Sequence, residues 1–361
     1  MTAQPKPAPE PLGRPPEPGE PAPFFTAATT NVERYSLDAA AGRWIVLMVF
    51  GTLSSSASLQ ALEVALRRRD LFNDTDAAFY GVTVDAADRQ RGLVDSEPGV
   101  RFFWDLDRAI CRLYGLASDD FLRPAIFLID PAFRIVLAEP IEAIDMVLDR
   151  LEQALREPGA DDRTAPVLVL PRVLEPELCQ DLIDYYRRGA PTESGFAMEV
   201  DGQTVTRLNP TLKRRTDVTI DDPVLVEAVR NRLETRLFPM IERAFGWLPT
   251  RIERYLICCY AAEDRGFFFP HRDDATAGTA HRKFAVTLNL NAEDYDGGDL
   301  RFLEFGHRTY RPPTGGAGVF ACGLLHEATP VTRGVRYAVV PFLYDEAGER
   351  LRQANLGRVG D

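Results

Sequence analysis

Histidine is scarce in this 361-residue chain: there are four, His271, His281, His307 and His326, all in the last third. The first two thirds can supply no imidazole to a metal or a proton, so chemistry of that kind belongs to the C-terminal part. Cysteine is scarce too. The five (Cys111, Cys179, Cys258, Cys259, Cys322) are odd in number and nowhere spaced as CxxC. That argues against a disulfide framework and a thiolate metal site, and a reduced, cytoplasmic protein is expected. A basic surplus is also missing. The formal net charge is −12 and the pI is near 5.0, against a nucleic-acid surface or a polybasic membrane patch. No apolar run approaches the roughly 20 residues that span a bilayer, so neither nucleic acid nor membrane is expected as a partner. The N-terminus lacks the apolar core of a secretion signal. Residues 1–23 instead hold nine prolines, and residues 1–24 are expected to form a disordered, solvated tail.

What is present falls into two textures. Residues 25–158 alternate strands and helices: the apolar run Trp44–Phe50, a helix over Leu59–Arg69 after the capping serines 54–58, a strand at 78–84, a short helix at 108–114, a hairpin from Pro124 to Ala138 and a closing helix from Ile141 to Glu157. That order implies an α/β layer domain. A polar linker, Glu157-Pro-Gly-Ala-Asp-Asp-Arg163, ends it. The second domain, residues 164–352, opens with a strand at 167–170 and a helix begun by Glu175-Pro176. Leu225, Val229, Leu233, Leu237 and Ile241 recur at i+4, which predicts one long helix from Pro223 to Phe245. From Arg254 the texture becomes short strands and Gly/Pro turns, predicted at 255–260, 267–273, 284–291, 299–305, 319–321 and 335–344. Many short strands suggest a barrel or jelly roll.

In that second domain, His271 and Asp273 are two residues apart, so on a strand both face one way. His326 follows 53 residues after Asp273, and Arg336 ten residues later. Two imidazoles and one carboxylate on one face suit non-haem Fe(II), because they leave positions open for a co-substrate and O2. An arginine level with the metal is suited to a bidentate carboxylate. Along the strand from Phe284, Val286, Leu288 and Leu290 share one face while Ala285, Thr287 and Asn289 share the other, a polar file expected to look into a ligand-filled interior. His281 and His307 read as loop or surface histidines. Cys258-Cys259 reads as buried strand packing.

Cys259-Tyr260, His271-Arg-Asp273, Phe284-Ala-Val-Thr-Leu-Asn-Leu-Asn291, Gly297-Gly-Asp-Leu-Arg-Phe302 and His326…Arg336 together resemble the Fe(II)/2-oxoglutarate dioxygenases of the prolyl 4-hydroxylase type. The resemblance covers roughly Val167 to Tyr344. It implies a double-stranded β-helix (jelly roll) with supporting helices, in which His271, Asp273 and His326 bind iron. Arg336 would pair with the distal carboxylate of 2-oxoglutarate, with Tyr260 and Asn289 also on the co-substrate wall. Asn289 stands where many members carry tyrosine, and Phe268 likewise replaces a tyrosine. The implied cofactor is Fe(II), with 2-oxoglutarate and O2 as co-substrates and ascorbate as an optional accessory. The implied reaction hydroxylates an unidentified substrate, a prolyl residue or a small metabolite. The alternative is a non-catalytic iron- or O2-sensing protein, or a scaffold, built from two degenerate domains.

The N-terminal order, with Arg123-Pro-Ala-Ile-Phe-Leu-Ile-Asp130, is similar to the thioredoxin-fold peroxiredoxins of the alkyl hydroperoxide reductase type. In the register set by Phe50-Gly-Thr52, Ser55 takes the place of the peroxidatic cysteine. A serine hydroxyl cannot replace a thiolate in peroxide reduction. The domain is expected to be catalytically silent and to serve homodimer formation or partner binding. A third reading gives it thiol chemistry through Cys111.

Overall fold

Eight consecutive residues, Trp44–Gly51, are all buried and form β1 at the centre of a five-stranded sheet. A strand apolar on both faces needs cover on both sides. The computed structural model describes residues 13–96, 98–118, 121–157 and 163–360. It divides into two compact units, one reaching to Arg163 and including Leu303–His307, the other comprising Thr164–Phe302 and the chain from Arg308 onward.

In the first unit β1 is flanked by β2 (Ala77–Thr83), which is parallel to it and is followed by parallel β3 (Val100–Trp104). On the other side lie antiparallel β4 (Ala125–Ile129) and β5 (Ile135–Pro140). Helices α1 (Ser56–Arg67) and α3 (Ile144–Arg156) cover the face carrying Val46, Met48 and Phe50. The short α2 (Ala109–Leu113) leads into Tyr114, whose ring packs on Phe127 of the opposite face. The topology is thioredoxin-like. Of residues 13–24, read in the sequence as part of a solvated tail, 19–22 instead run beside the start of β5 and the turn before it; residues 1–12 lie outside the described residues. Gly19 and Ala22 donate backbone N–H groups to Ile135 and Phe133 carbonyls at 2.8 Å, and Ile135 donates to Glu20 at 2.9 Å. The prolines cannot donate, but the residues between them can, which suffices for an edge partner.

In the second unit, the strand β6 (Leu168–Leu170) and α4 (Pro176–Arg188) come first. Then follow β7 (Thr192–Glu193), the hairpin β8 (Phe196–Val200) and β9 (Gln203–Arg207), β10 (Lys213–Arg214) and β11 (Thr216–Thr219). The expected single helix from Pro223 is α5 (Pro223–Arg232) and α6 (Phe238–Phe245), joined by a wide π turn over Leu233–Leu237. Pro239 has no N–H and would clash with the carbonyl four residues back, so the helix widens there. The i+4 stripe survives: Val229, Leu233, Leu237 and Ile241 are all buried.

The remaining strands are β12 (Arg251–Ile252), β13 (Leu256–Ala261), β14 (Phe267–His271), β15 (Phe284–Asn289), β16 (Asp296–Gly297), β17 (Leu300–Arg301), β18 (Thr309–Tyr310), β19 (Ala317–Ala321), β20 (His326–Ala328), β21 (Val331–Arg333), β22 (Val335–Val339) and β23 (Phe342–Tyr344), followed by helix α7 (Glu346–Asn355). They make a large sheet ordered β12-β23-β15-β22-β13-β11-β7, with β19 and β6 attached along β15, and a smaller one ordered β10-β14-β20-β17-β18. The helices pack on the large sheet through Val286, Leu288, Leu290 and Val339. The other face of that sheet looks into the site. Several strands are shorter than expected: the one predicted over 284–291 ends at Asn289, and the one over 299–305 is only Leu300–Arg301, followed by a 3-10 turn at Leu303–Phe305. The one from Phe267 ends at His271, so Asp273 lies on a turn, and the one from Val335 breaks before Phe342, where Pro341 intervenes.

His281 is not the surface histidine its loop position suggested. It is 2% exposed and its Nε2 lies 3.0 Å from Glu253, which also takes a bidentate pair from Arg282 at 2.6 and 2.7 Å. Arg282 in turn donates to the Asp273 carbonyl at 3.2 Å. Burial pushes the Glu253 carboxyl up, but His281 and Arg282 outweigh it and hold the group near 2 against an ordinary 4.5. A carboxyl depressed on folding contributes stability above its ordinary value and loses it as pH falls through the folded value. Glu253→Gln is expected to lower the unfolding free energy at pH 7 by roughly 3 kcal/mol. In urea denaturation, the gap from wild type should close between pH 4.5 and 2; a gap independent of pH would contradict this role.

Candidate metal centre and its cavity

β14 and β20 pair antiparallel with His271 opposite His326, which brings two residues 55 apart in sequence onto one patch of the small sheet. Asp273 reaches the same patch from the turn beyond β14, where its N–H is tied to the Cys322 carbonyl at 2.9 Å. The His271 and His326 Nε2 atoms lie 3.5 and 3.4 Å from the two Asp273 carboxylate oxygens. One donor atom from each of the three lies within 4.8 Å of the others. Cis ligands of a first-row metal sit about 3 Å apart, so small rotations would suffice to hold an ion.

The donor atoms are also correctly presented. Nδ1 of His271 lies 2.8 Å from the Phe269 carbonyl, and Nδ1 of His326 lies 3.0 Å from that of Leu324. Facing an acceptor, each Nδ1 carries the proton, leaving the Nε2 lone pair for a metal. Burial, and then the His271 charge, pull His326 down to about 4, so it is neutral at pH 7. Burial pushes the Asp273 carboxyl up, but His326 and His271 outweigh that and hold it below the carboxylate range. Two imidazoles presenting Nε2 and a carboxylate fit a divalent cation.

These residues line a cavity of about 730 Å³ together with Tyr260, Thr287 and Arg336 from the large sheet. Arg336 is 3% exposed. It donates to the Gly298 carbonyl and the Thr287 hydroxyl, both at 2.8 Å, and its Nε has no partner. Gly298 adopts φ +66°, and a Cβ there would stand 2.8 Å from Val331 and 3.2 Å from the Arg336 stem. The glycine allows this close approach. Among the described residues no carboxylate pairs with Arg336, so a buried cation faces the cavity unbalanced. This suits a carboxylate ligand such as one end of 2-oxoglutarate.

Tyr260, directly across the ladder from Arg336, is buried with its ring centroid 5.3 Å from that guanidinium. Asn289 falls elsewhere. It shares the inward face of β15 with Thr287, but its amide donates to the Pro312 carbonyl at 2.7 Å and it does not line the cavity. Thr287, two residues earlier, makes the contact with Arg336. The sequence reading also missed Lys213, Arg215 and Arg254, all on the cavity wall. Burial, reinforced by Arg215 and Arg254, pulls the Lys213 amine down to about 6.

In the first unit, Ser55 caps α1, accepting from Ser58 N–H at 3.4 Å. It borders a separate cavity of about 420 Å³ with Arg123 and Pro124. Cys111 is fully buried, and burial, with the Asp105 carboxylate beside it, pushes its thiol far up. Among the described residues no helix is long and apolar enough to cross a membrane.

Residues 255–344 match the model of the 2OG-Fe(II) oxygenase superfamily, and residues 18–138 match the AhpC/TSA family. A PKHD-type hydroxylase of Synechococcus sp. (strain JA-2-3B'a(2-13)) is 36% identical over 34% of this chain and 53% of its own length. One from Maricaulis maris (strain MCS10) is 37% identical over 32% of this chain and 52% of its own length. The multifunctional procollagen lysine hydroxylase and glycosyltransferase of Rattus norvegicus is 32% identical over 31% of this chain and 15% of that protein. The match thus spans about half the length of the two PKHD-type relatives. The chain carries a 2OG-Fe(II) oxygenase domain and an AhpC/TSA peroxiredoxin-like domain.

Proposed function

We propose that the second unit is an Fe(II)- and 2-oxoglutarate-dependent hydroxylase of a prolyl residue or a small metabolite. The observation that carries this is Arg336: a buried guanidinium without a carboxylate partner, in the same cavity as His271, Asp273 and His326. The facing sheets are read as a double-stranded β-helix. Bound iron, with 2-oxoglutarate and O2, would supply the oxidant that turns a substrate C–H into C–OH while succinate and CO2 leave. Ascorbate enters this reading as an accessory only.

The chain's own part is orientation. The Phe269 and Leu324 carbonyls hold the two imidazoles, and Arg282 fixes the backbone of Asp273. Arg336, braced by Thr287 and Gly298, receives the far carboxylate of 2-oxoglutarate, leaving its keto end for the metal. Tyr260 closes the wall beside it. A carboxylate at position 273 leaves no ligand position vacant for a halide, which favours hydroxylation. We assign the first unit a non-catalytic role in homodimer formation or partner binding, because its Ser55 hydroxyl caps a helix and its Cys111 thiol is buried.

Three measurements test this. The full chain, loaded with Fe(II) without air, should form succinate from 2-oxoglutarate when O2 is admitted, even with no added substrate; His326→Ala should lose this and the bound iron together. Arg336→Ala should keep its iron and raise KM for 2-oxoglutarate by about 100-fold, the cost of losing a buried charge pair. Succinate at the wild-type KM in that variant would sink the assignment of Arg336. Peroxide reduction by the wild-type chain should not exceed that of Cys111→Ala; a clear excess would restore thiol chemistry to the first unit.

A further inference from the structure

The cavity has a second cationic wall that the reading above does not use. Lys213 pairs across the ladder with Phe268, its amine 4.5 Å from that ring centroid, and the Phe268 ring stacks on His271 at 3.5 Å. The amine is 7% exposed with its residue and donates to the Gly195 carbonyl at 2.6 Å. Arg215, whose side chain is 6% exposed, pairs with Asp217 at 2.7 Å, and its Nε has no partner. Arg254 rests on the Phe342 ring at 4.5 Å, with one long contact to the Val340 carbonyl. Two buried guanidiniums, and an amine that burial beside them keeps largely unprotonated at pH 7, thus stand against one paired carboxylate; neither Lys213 nor Arg254 has an ion pair among the described residues, and a bound anion would draw the proton back onto Lys213. Of the other acids on the lining, Glu193 and Asp221 are exposed at the rim and Asp273 belongs to the metal face.

Charges of one sign brought together out of water are costly unless an anion joins them. 2-Oxoglutarate is accounted for by Arg336 and the metal face, so a different anion is called for. We infer that the hydroxylated substrate carries a carboxylate of its own, which docks on Lys213, Arg215 and Arg254 and so selects the substrate. This inference rests on the proposed oxygenase reading for its meaning, although the anion site itself does not need the metal. The Lys213–Phe268–His271 stack puts that carboxylate one aromatic ring away from a metal ligand. The oxidised carbon is then close to the carboxylate: within a free or chain-terminal amino acid, or beside an acidic residue of a peptide.

The test is calorimetric titration of the full chain saturated with 2-oxoglutarate, so that Arg336 is filled, both metal-free and Fe(II)-loaded without air. N-acetylglycine and N-acetylglycinamide differ only in the carboxylate. A blocked pentapeptide with central Asp, against the same peptide with Asn, reports the side-chain source. The acid of at least one pair should bind tenfold or more tightly than its neutral partner. Lys213→Met should erase that difference and leave the affinity for 2-oxoglutarate within twofold, while Lys213→Arg should retain the preference. Arg254→Met serves if Lys213→Met does not fold. Equal binding of acid and neutral partner in both pairs overturns the inference, as does a loss of 2-oxoglutarate affinity in Lys213→Met, which would make Lys213 a co-substrate residue. Succinate formation is scored separately. Carboxylate selectivity without it would leave the anion site standing and the oxygenase reading fallen, and the reverse result would do the opposite.

Discussion

Positive charge held out of water, and waiting for an anion, is the constraint on which the rest of this site depends. Arg336 sits at the middle of the large sheet, where a hydrophobic residue of similar size would pack at no electrostatic cost. Its burial is tolerable because the Gly298 carbonyl and the Thr287 hydroxyl take two of its donors, while its Nε stays unused. Half-satisfied buried groups are expensive and persist where a ligand completes them. The glycine pair 297–298, the inward threonine of β15 and the opposed Tyr260 then follow as consequences. Each either approaches the guanidinium closely or leaves it room.

The same constraint separates what the sequence could convey from what it could not. The triad was legible because histidine is rare here and the spacing is specific: two of the four histidines meet at the candidate metal site, and Arg336 was legible by its place ten residues after the second. Strand alternation in β15 placed Thr287 and Asn289 correctly on one face, but a face is not a cavity. Asn289 lies one pleat further along, where the Pro312 carbonyl captures its amide. Lys213 and Arg215 were not legible as a site because arginine is abundant in this chain and basic side chains are usually solvated. A signal did exist. Asp201-Gly202 between alternating segments is a strong hairpin dipeptide, and the hairpin β8–β9 it closes precedes the stretch Lys213–Arg215 that carries both basic side chains. His281 misled for a related reason: its partner Glu253 is 28 residues away, and nothing local announces a tertiary ion pair.

Fold-level periodicity carried further than site-level detail. The buried run of β1 and the i+4 stripe through Ile241 were sound because packing of a whole face averages over many residues. Where single residues decide, the reading slipped. Pro239 widened a helix that the stripe alone would make continuous, and Pro341 divided a strand. The segment 13–24 shows the opposite error. Proline content suggested a free chain, yet three non-proline residues were enough to dock residues 19–22 beside the start of β5.

On the proposed non-catalytic reading of the first unit, its fold has outlived its chemistry. At the start of α1 a peroxidatic thiol would draw acidity from the helix N-terminus and a nearby cation. Here the position holds Ser55, and the same helix end uses the hydroxyl as a cap. Arg123 still borders the cavity beside it, but a neutral hydroxyl gives a guanidinium nothing to stabilise. The second unit differs on the same physical ground. Its cations converge on a cavity whose far wall presents unprotonated nitrogen and carboxylate oxygen, so charge of both signs is arranged around one space. Among the described cavities, only that arrangement combines ligands for a metal with a counter-charge for what the metal would act upon. It belongs to a chain whose overall charge is −12, so the positive field at the site is local, made by the few buried residues that line it.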